Sequence, residues 1–180
     1  VSGKVDWVVD EHIKLRIVKP DDDSDLFALV DENRQQLEKY MPWAQDTKTV
    51  ANEHRFLEYC QKQITKKALW PVTILVDGKV AGMFDFHDFD HADRHCSIGY
   101  WLGKGYQHNG VMTRVVKAAI KIGFEELDMH KIALLAEVEN TSSNNVAIRN
   151  GFHLDGTLKE HIYSDGKFHD ANIYSMLEHS

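Results

Sequence analysis

The stretch that most narrows what this chain can fold into is GYWLGKGYQHNGVMTRVVKAAI, residues 99–120. It opens as an apolar, aromatic run of strand character. It passes through a loop carrying Gly103, Gly105 and Gly110, then becomes an apolar helix pattern. That order brings bare backbone to the mouth of a helix, where several N–H donors lack partners and about half a positive charge gathers. Such a turn suits a diphosphate cradle. It equally suits a tight strand-to-helix connection that binds nothing, and the loop alone leaves both readings open. Known nucleotide motifs do not fit. The Gly-x-x-x-x-Gly-Lys-Ser/Thr of a P-loop is absent, and Gly110 comes too late for a Rossmann fingerprint. A diphosphate held mostly by backbone points instead to a coenzyme such as CoA.

Around this stretch the pattern alternates between helix and strand. Residues 13–18 read as a short strand ending at Pro20. Residues 26–40 carry Leu26, Leu29, Val30, Leu37 and Tyr40 on one helical stripe, stopped by Pro42. Residues 49–69 read as a second helix. Residues 70–89 form two β-branched, apolar runs joined at Asp77-Gly78, a hairpin signal. Strands over 95–102 and 131–138 and a short helix over 142–152, closed by Gly151, come next. A last hairpin spans 153–177 around Asp165-Gly166. The spacing predicts one α/β domain over residues 1–180 on a mixed, largely antiparallel sheet.

Composition excludes some functions. The net charge of −7 argues against a nucleic-acid binder and is compatible with a cationic partner. No apolar run reaches the roughly 18–20 residues of a membrane span, and the first residues lack the pattern of a signal peptide. The only two cysteines, Cys60 and Cys96, form neither a zinc pattern nor a disulfide framework, so a cytoplasmic protein is expected.

The segment Gln107-His108-Asn109-Gly110-Val111-Met112 resembles the Gln/Arg-x-x-Gly-x-Gly/Ala signature of the GNAT acetyltransferases. Met112 departs from the small last residue. The branch that modifies ribosomal-protein N-termini often carries Met there, followed by Thr, as at Thr113 here. The segments 29–43, 98–113 and 138–152 and the closing hairpin are similar to that branch, in order, over nearly the whole chain. The resemblance implies the α/β (α+β) GNAT fold: about seven strands and about four helices, splayed between the family's fourth and fifth strands. It implies acetyl-CoA as donor and a primary amine as acceptor, most of all a protein N-terminus of the ribosomal type. A small amine or amino-sugar acceptor, and a CoA-binding protein without catalysis, remain as alternatives. A homodimer is expected from the branch.

The same resemblance nominates site residues. Tyr100, Trp101, Leu102, Gln107, His108, Asn109, Gly110, Val111, Met112, Thr113, Asn140 and Asn145 are expected at the coenzyme. Ser143 stands where the branch keeps a serine near the CoA sulfur. It is a candidate acid for the leaving thiolate, and it also fits a helix cap. Ser97 replaces the glutamate that the branch commonly has before Ile-Gly-Tyr-Trp-Leu. Asp85 and His87 alternate onto one face of the neighbouring strand, so His87 is the candidate base, with His95 as a second. An ordinary strand histidine is the alternative. Tyr40, Met41, Trp43 and Asp85 are expected near the acceptor entrance, where the aromatics equally fit helix packing. HDFDHADRH, residues 87–95, looks metal-rich but reads as a solvated hairpin loop, and the family needs no metal.

Overall fold

The computed structural model describes residues 3–180. Its strands are β1 (Asp6–Val8), β2 (Ile13–Ile17), β3 (Trp70–Val76), β4 (Lys79–Asp90), β5 (His95–Leu102), β6 (Lys131–Glu137), β7 (His153–Ser164) and β8 (Lys167–Leu177). Its helices are α1 (Asp23–Glu32), α2 (Arg34–Tyr40), α3 (Val50–Thr65), α4 (Val111–Glu125) and α5 (Thr141–Arg149). The strands form one sheet in the order β1-β2-β3-β4-β5-β6-β8-β7. All neighbours are antiparallel except β5 and β6, which run parallel because α4 carries the chain across between them.

Local chemistry sets the turns. Asp77 and Gly78 both have positive φ, at 48° and 78°, as do Asp165 and Gly166 at 50° and 77°. Two successive left-handed residues make the type I′ geometry that matches strand twist. Thr49 caps α3 by accepting from the Asn52 amide at 3.1 Å. Gly151, with φ at 79°, closes α5.

Two counts differ from expectation. β1 adds an eighth strand; with only three residues it is too short for a periodicity signal. The helix expected over 26–40 is broken at Asn33, giving five helices. There the Asn33 carboxamide donates to the Leu29 carbonyl at 2.8 Å and accepts from the Lys104 amide at 2.8 Å. A tertiary latch to the glycine loop overrides the helical stripe. The strand that the family counts fourth is therefore β5.

Alternation along the central strands builds two cores. Phe84, Phe86 and Ile98 pack against Val115, Val116, Ala119 and Ile122 of α4. On the other face Met83 and Trp101 pack under Leu26, Leu29 and Val30 of α1, Leu37 of α2, and Leu57 and Cys60 of α3.

The sheet is split at its centre. β5 stays paired with β4 as far as Leu102, opposite Gly82. Its pairing with β6 runs only from His95↔Lys131 to Ile98↔Leu134. From Gly99 onward β5 leaves β6, and Leu135–Glu137 keep only β8. Among the described residues no helix is long and apolar enough to cross a membrane.

Gly82 carries part of this arrangement. A Cβ there would lie 2.2 Å from the Trp101 carbonyl oxygen, a backbone atom that cannot swing away. Gly82→Ala is expected to cost about 1–3 kcal/mol or more in urea unfolding, the range of overpacking strain. An unchanged midpoint would show that the two strands have slack.

Candidate active site

The split leaves the β6-facing backbone groups of Gly99–Leu102 without a ladder partner, and β5 leads directly into the glycine loop. In that loop the Gln107 carboxamide donates to the Leu102 carbonyl at 2.9 Å, and the Gln107 amide bonds to the Lys104 carbonyl at 3.2 Å. Gln107 therefore shapes the loop. His108 and Gly110 take positive φ, at 67° and 71°, which turns the backbone toward the helix mouth. The first intrahelical bond of α4 runs from the Arg114 amide to the Gly110 carbonyl at 3.2 Å. The amides of Val111, Met112 and Thr113 precede it and point out of the helix end. The side chains of Val111 and Met112 are buried in the core, so these two residues can offer only backbone. A Cβ built on Gly110 meets nothing within 4 Å, so the space beside Gly110 at the helix mouth is open. His108 and Asn109 are exposed at its rim.

Sequence reasoning did not find Arg114. Its guanidinium reaches the Asn109 and Gly110 carbonyls, each at 3.3 Å, and bonds the Asp10 carboxylate in the β1–β2 turn. Its place four residues beyond Gly110 is readable, but the partner 104 residues away is not. A groove of ≈ 750 Å³ flanks the entry to the loop, lined by Leu29, Glu32, Asn33, Gly103, Lys104, Gly105 and Tyr106.

At the inner end of the split, Tyr100 and Ser143 meet. Their hydroxyl oxygens lie 2.9 Å apart, and the Ser143 amide donates to Asn140 Oδ1 at 3.3 Å. Ser143 thus sits in the capped first turn of α5 and also presents its hydroxyl to β5. Burial is the main cause that pushes the Tyr100 phenol up to about 12, so it stays protonated and can donate. Behind them Asn144 is buried; it donates to the Glu137 carbonyl at 2.9 Å and accepts from Tyr174 at 2.6 Å, which fixes α5 on β6 and β8. Asn145 is half-buried beside it.

The other sheet face carries a second constellation. His87 Nδ1 lies 2.6 Å from Asp85 Oδ1. Asp85 stands opposite Gly99, and His87 opposite Ser97. A Cβ on Gly99 would come within 3.3 Å of the His87 ring, so glycine leaves room for the pair. Burial pulls the His87 pKa down. The hydrogen bond and charge of Asp85, with Asp88 adding to them, outweigh it and hold the imidazole above its ordinary value.

Trp101 turns its ring to this same face. Trp43, in the short 3-10 turn Pro42–Gln45, packs on it with centroids 5.9 Å apart. So the Trp101 side chain belongs to the helix core, and Trp43 covers it while remaining 39% exposed. Tyr40 lies half-buried under the Lys39 ammonium, and Met41 packs against the same helix core. The structure thus gathers Asp85, His87 and Ser97 on one face and Tyr100 with Ser143 on the other.

The histidines of residues 87–95 do not act together. His91 stacks on Phe89 and bonds the Lys67 carbonyl at 2.9 Å. His95 lies near Asp90 and Asp93 in the exposed β4–β5 turn, where Asp90 accepts from the Asp93 amide at 2.7 Å.

A split parallel pair, with a glycine loop feeding a helix between its strands, matches one family of domains. The acetyltransferase (GNAT) domain model covers residues 12–153. The chain belongs to the GNAT acetyltransferase family. YdaF of Bacillus subtilis (strain 168), provisionally named a ribosomal N-acetyltransferase, is 31% identical over 94% of this chain and 93% of its own. The ribosomal-protein-serine acetyltransferase of Escherichia coli (strain K12) is 25% identical over 94% of both. Among solved structures, RimL, the ribosomal L7/L12 alpha-N-protein acetyltransferase in complex with coenzyme A, superposes with a TM-score of 0.91. It is 25% identical, over 94% of this chain and 96% of that one.

As a GNAT enzyme the chain is an acyltransferase with acetyl-CoA as donor, and its residues suit that donor. The free α4 amides and the open space over Gly110 fit a diphosphate, and the unpaired edge of β5 fits an amide-bearing arm.

The Asp85–His87 pair carries a pH signature. Because the folded pKa of His87 is raised, its stabilising contribution is complete below the unfolded value of about 6.5 and is lost as pH rises through the folded value. His87→Gln is therefore expected to reduce unfolding free energy more at about pH 5.5 than at about pH 9. An equal loss at both would contradict the pairing.

Proposed function

We propose that this GNAT enzyme transfers acetyl from acetyl-CoA to a protein N-terminal α-amine of the ribosomal type. The observation that carries the reading is the split between β5 and β6, with a donor pair on one face and a histidine–carboxylate pair on the other. The near full-length similarity to ribosomal-protein acetyltransferases supports the acceptor class.

Acetyl-CoA, when bound, supplies an activated thioester and a thiol leaving group. The backbone amides of His108–Thr113 would hold the diphosphate, with Gln107 shaping the loop, and the edge of Tyr100–Leu102 would hold the arm. Asn140 and Asn145 would border it from α5. Backbone N–H groups of β5 at the split polarise the acyl oxygen. Ser143 and Tyr100 share a hydrogen bond at 2.9 Å; with Tyr100 as donor, Ser143 would give its hydroxyl proton to the leaving sulfur while taking the phenol's, and water would reprotonate Tyr100. Asp85 fixes the Nδ1–H form of His87, so Nε2 takes the ammonium proton. Ser97 lines the same face, and Tyr40 and Trp43 frame the acceptor entrance.

Cys60 and Cys96 are both buried free thiols, which supports a reducing, cytoplasmic setting. β7 ends the sheet with an unpaired edge, which supports assembly as a homodimer. Light scattering at micromolar concentration is expected to give twice the 20.7 kDa of one chain; the single-chain mass would rule the dimer out.

The decisive test is thiol release over a panel of N-terminal peptides, small amines and amino-sugars. Ser143→Ala is expected to lower kcat by about 10–10³-fold with little change in acetyl-CoA affinity. Gly110→Asp, which sets a carboxylate at the cradle, is expected to abolish most of that affinity by calorimetry. Tight CoA binding with no turnover on any acceptor would instead mark a CoA-binding protein. Unchanged affinity in a folded Gly110→Asp variant would place the diphosphate elsewhere.

A further inference from the structure

Three acidic side chains are buried among the described residues: Asp22, Glu53 and Glu137. Two are well partnered. Asp22 accepts from Arg16 at 2.6 Å, from the Lys19 amide at 3.0 Å and from Thr73 at 3.4 Å. Glu137 accepts from Ser164 at 2.8 Å and lies 3.4 Å from His169 Nδ1. Glu53 is only 3% exposed, yet no hydrogen bond or ion pair joins it to any described residue. Glu53 is not among the fully enclosed unpaired polar atoms, so its carboxyl keeps a trace of contact with the outside. A buried polar group left unpaired costs about 1–3 kcal/mol, and folded proteins seldom retain one without a use.

Its position suggests the use. Glu53, Leu57 and Cys60 are the buried residues of α3. Leu57 and Cys60 pack with Met83 and Trp101, on the sheet face that presents Asp85 and His87. The adjacent His54 is held at 2.9 Å by Asp23, in the first turn of α1. Glu53 therefore lies where α1 and α3 meet above the acceptor face. Burial is the main cause that pushes the Cys60 thiol up to about 12, and the charges of Asp85 and Glu53 add to it, so both carboxylates act on one side chain between them. The charge that acts on Glu53 is that of Asp23, and Asp85 on β4 shares Cys60 with it. Burial first, and then the charge of Asp23, push the Glu53 carboxyl up to about 7, and a nearby cation would return it to the ionised form.

We propose that Glu53 is a specificity residue that receives a second positive charge on the acceptor, distinct from the amine that is acetylated. The inference rests on the acetyltransferase reading and narrows its acceptor to a cationic one. An ammonium or guanidinium group supplies the donors that the unpaired oxygens lack, in a site shielded from water where a charge-assisted bond is strong. Such a group comes either from a Lys or Arg side chain next to a peptide N-terminus or from a diamine.

The test compares the full chain with Glu53→Gln, which keeps the shape and removes the charge. Acceptors are used in pairs that differ by one charge: a Ser-Lys peptide against Ser-Gln, and 1,4-diaminobutane against butylamine. The wild type is expected to favour the charged member of at least one pair, and the favoured pair identifies the source of the cation. Glu53→Gln is expected to raise KM for that member by about 10–100-fold, while kcat, KM for acetyl-CoA and the uncharged member stay unchanged. A wild type without charge preference, or a variant that keeps it, would overturn the proposal. If no acceptor is turned over, the acetyltransferase reading falls instead. Calorimetry of the diamine and the Ser-Lys peptide with the CoA-bound protein then still decides the role of Glu53. Tenfold or weaker binding of one ligand to the variant supports it, and equal affinity for both overturns it.

Discussion

After Ile98 the backbone of β5 ceases to pair with β6 but remains bonded to β4 as far as Leu102. The rest of the molecule depends on that divergence. Buried backbone donors and acceptors must find partners, and a sheet opened at its centre exposes a row that has none. Such a gap persists only where the surrounding structure enforces it. Here α4 fills one side, packed through Val115, Val116 and Ala119 onto Phe84, Phe86 and Ile98. The helices α1 and α3 hold the other side through Leu29, Leu57 and Trp101. Gly82 lets the β5 backbone approach where a Cβ would collide, and Gly99 and Gly123 leave room for the His87 ring and the Ile132 side chain.

The glycine loop is fixed at both ends by contacts distant in sequence. Asn33 holds the Lys104 amide at 2.8 Å, and Arg114 ties the helix mouth to Asp10. Between these anchors Gln107 braces the loop through the Leu102 and Lys104 carbonyls, so local and distant bonds together hold the α4 amides at the split. The two sides of the opening then differ in chemistry. Tyr100 and Ser143 form a neutral donor pair suited to protonating a leaving group. Asp85 and His87 form a carboxylate–imidazole pair whose Nε2, when the ring is neutral, is suited to taking a proton. The proposed acid and base lie on opposite faces of the sheet, so neither neutralises the other.

Much of this was readable from sequence because it is local. The Asp-Gly pairs at 77–78 and 165–166 adopt the left-handed geometry that their composition favours. The period-two alternation of β4 placed Asp85 and His87 on one face. Other features depend on partners that no local pattern reveals. Asn33 interrupts an apolar stripe that continues unbroken in sequence, because Lys104 is waiting 71 residues away. Tyr100 and Ser143 are 43 residues apart and meet only because α5 docks at the split. Trp101 sat in a motif that suggested a coenzyme contact, yet its ring faces the helices and only its backbone borders the opening. No local pattern marks Glu53; only its burial in the folded chain singles it out.

The central claim is that the free α4 amides and the unpaired edge of β5 together receive the coenzyme. Backbone amide NMR during a CoA titration tests it most directly, because it reports on each N–H without a mutation. The largest shifts are expected at Gly99–Leu102 and at Gly110–Thr113, with the amides of β2 and β3 little changed. Shifts confined to other regions, with those two segments unmoved at saturation, would contradict the account.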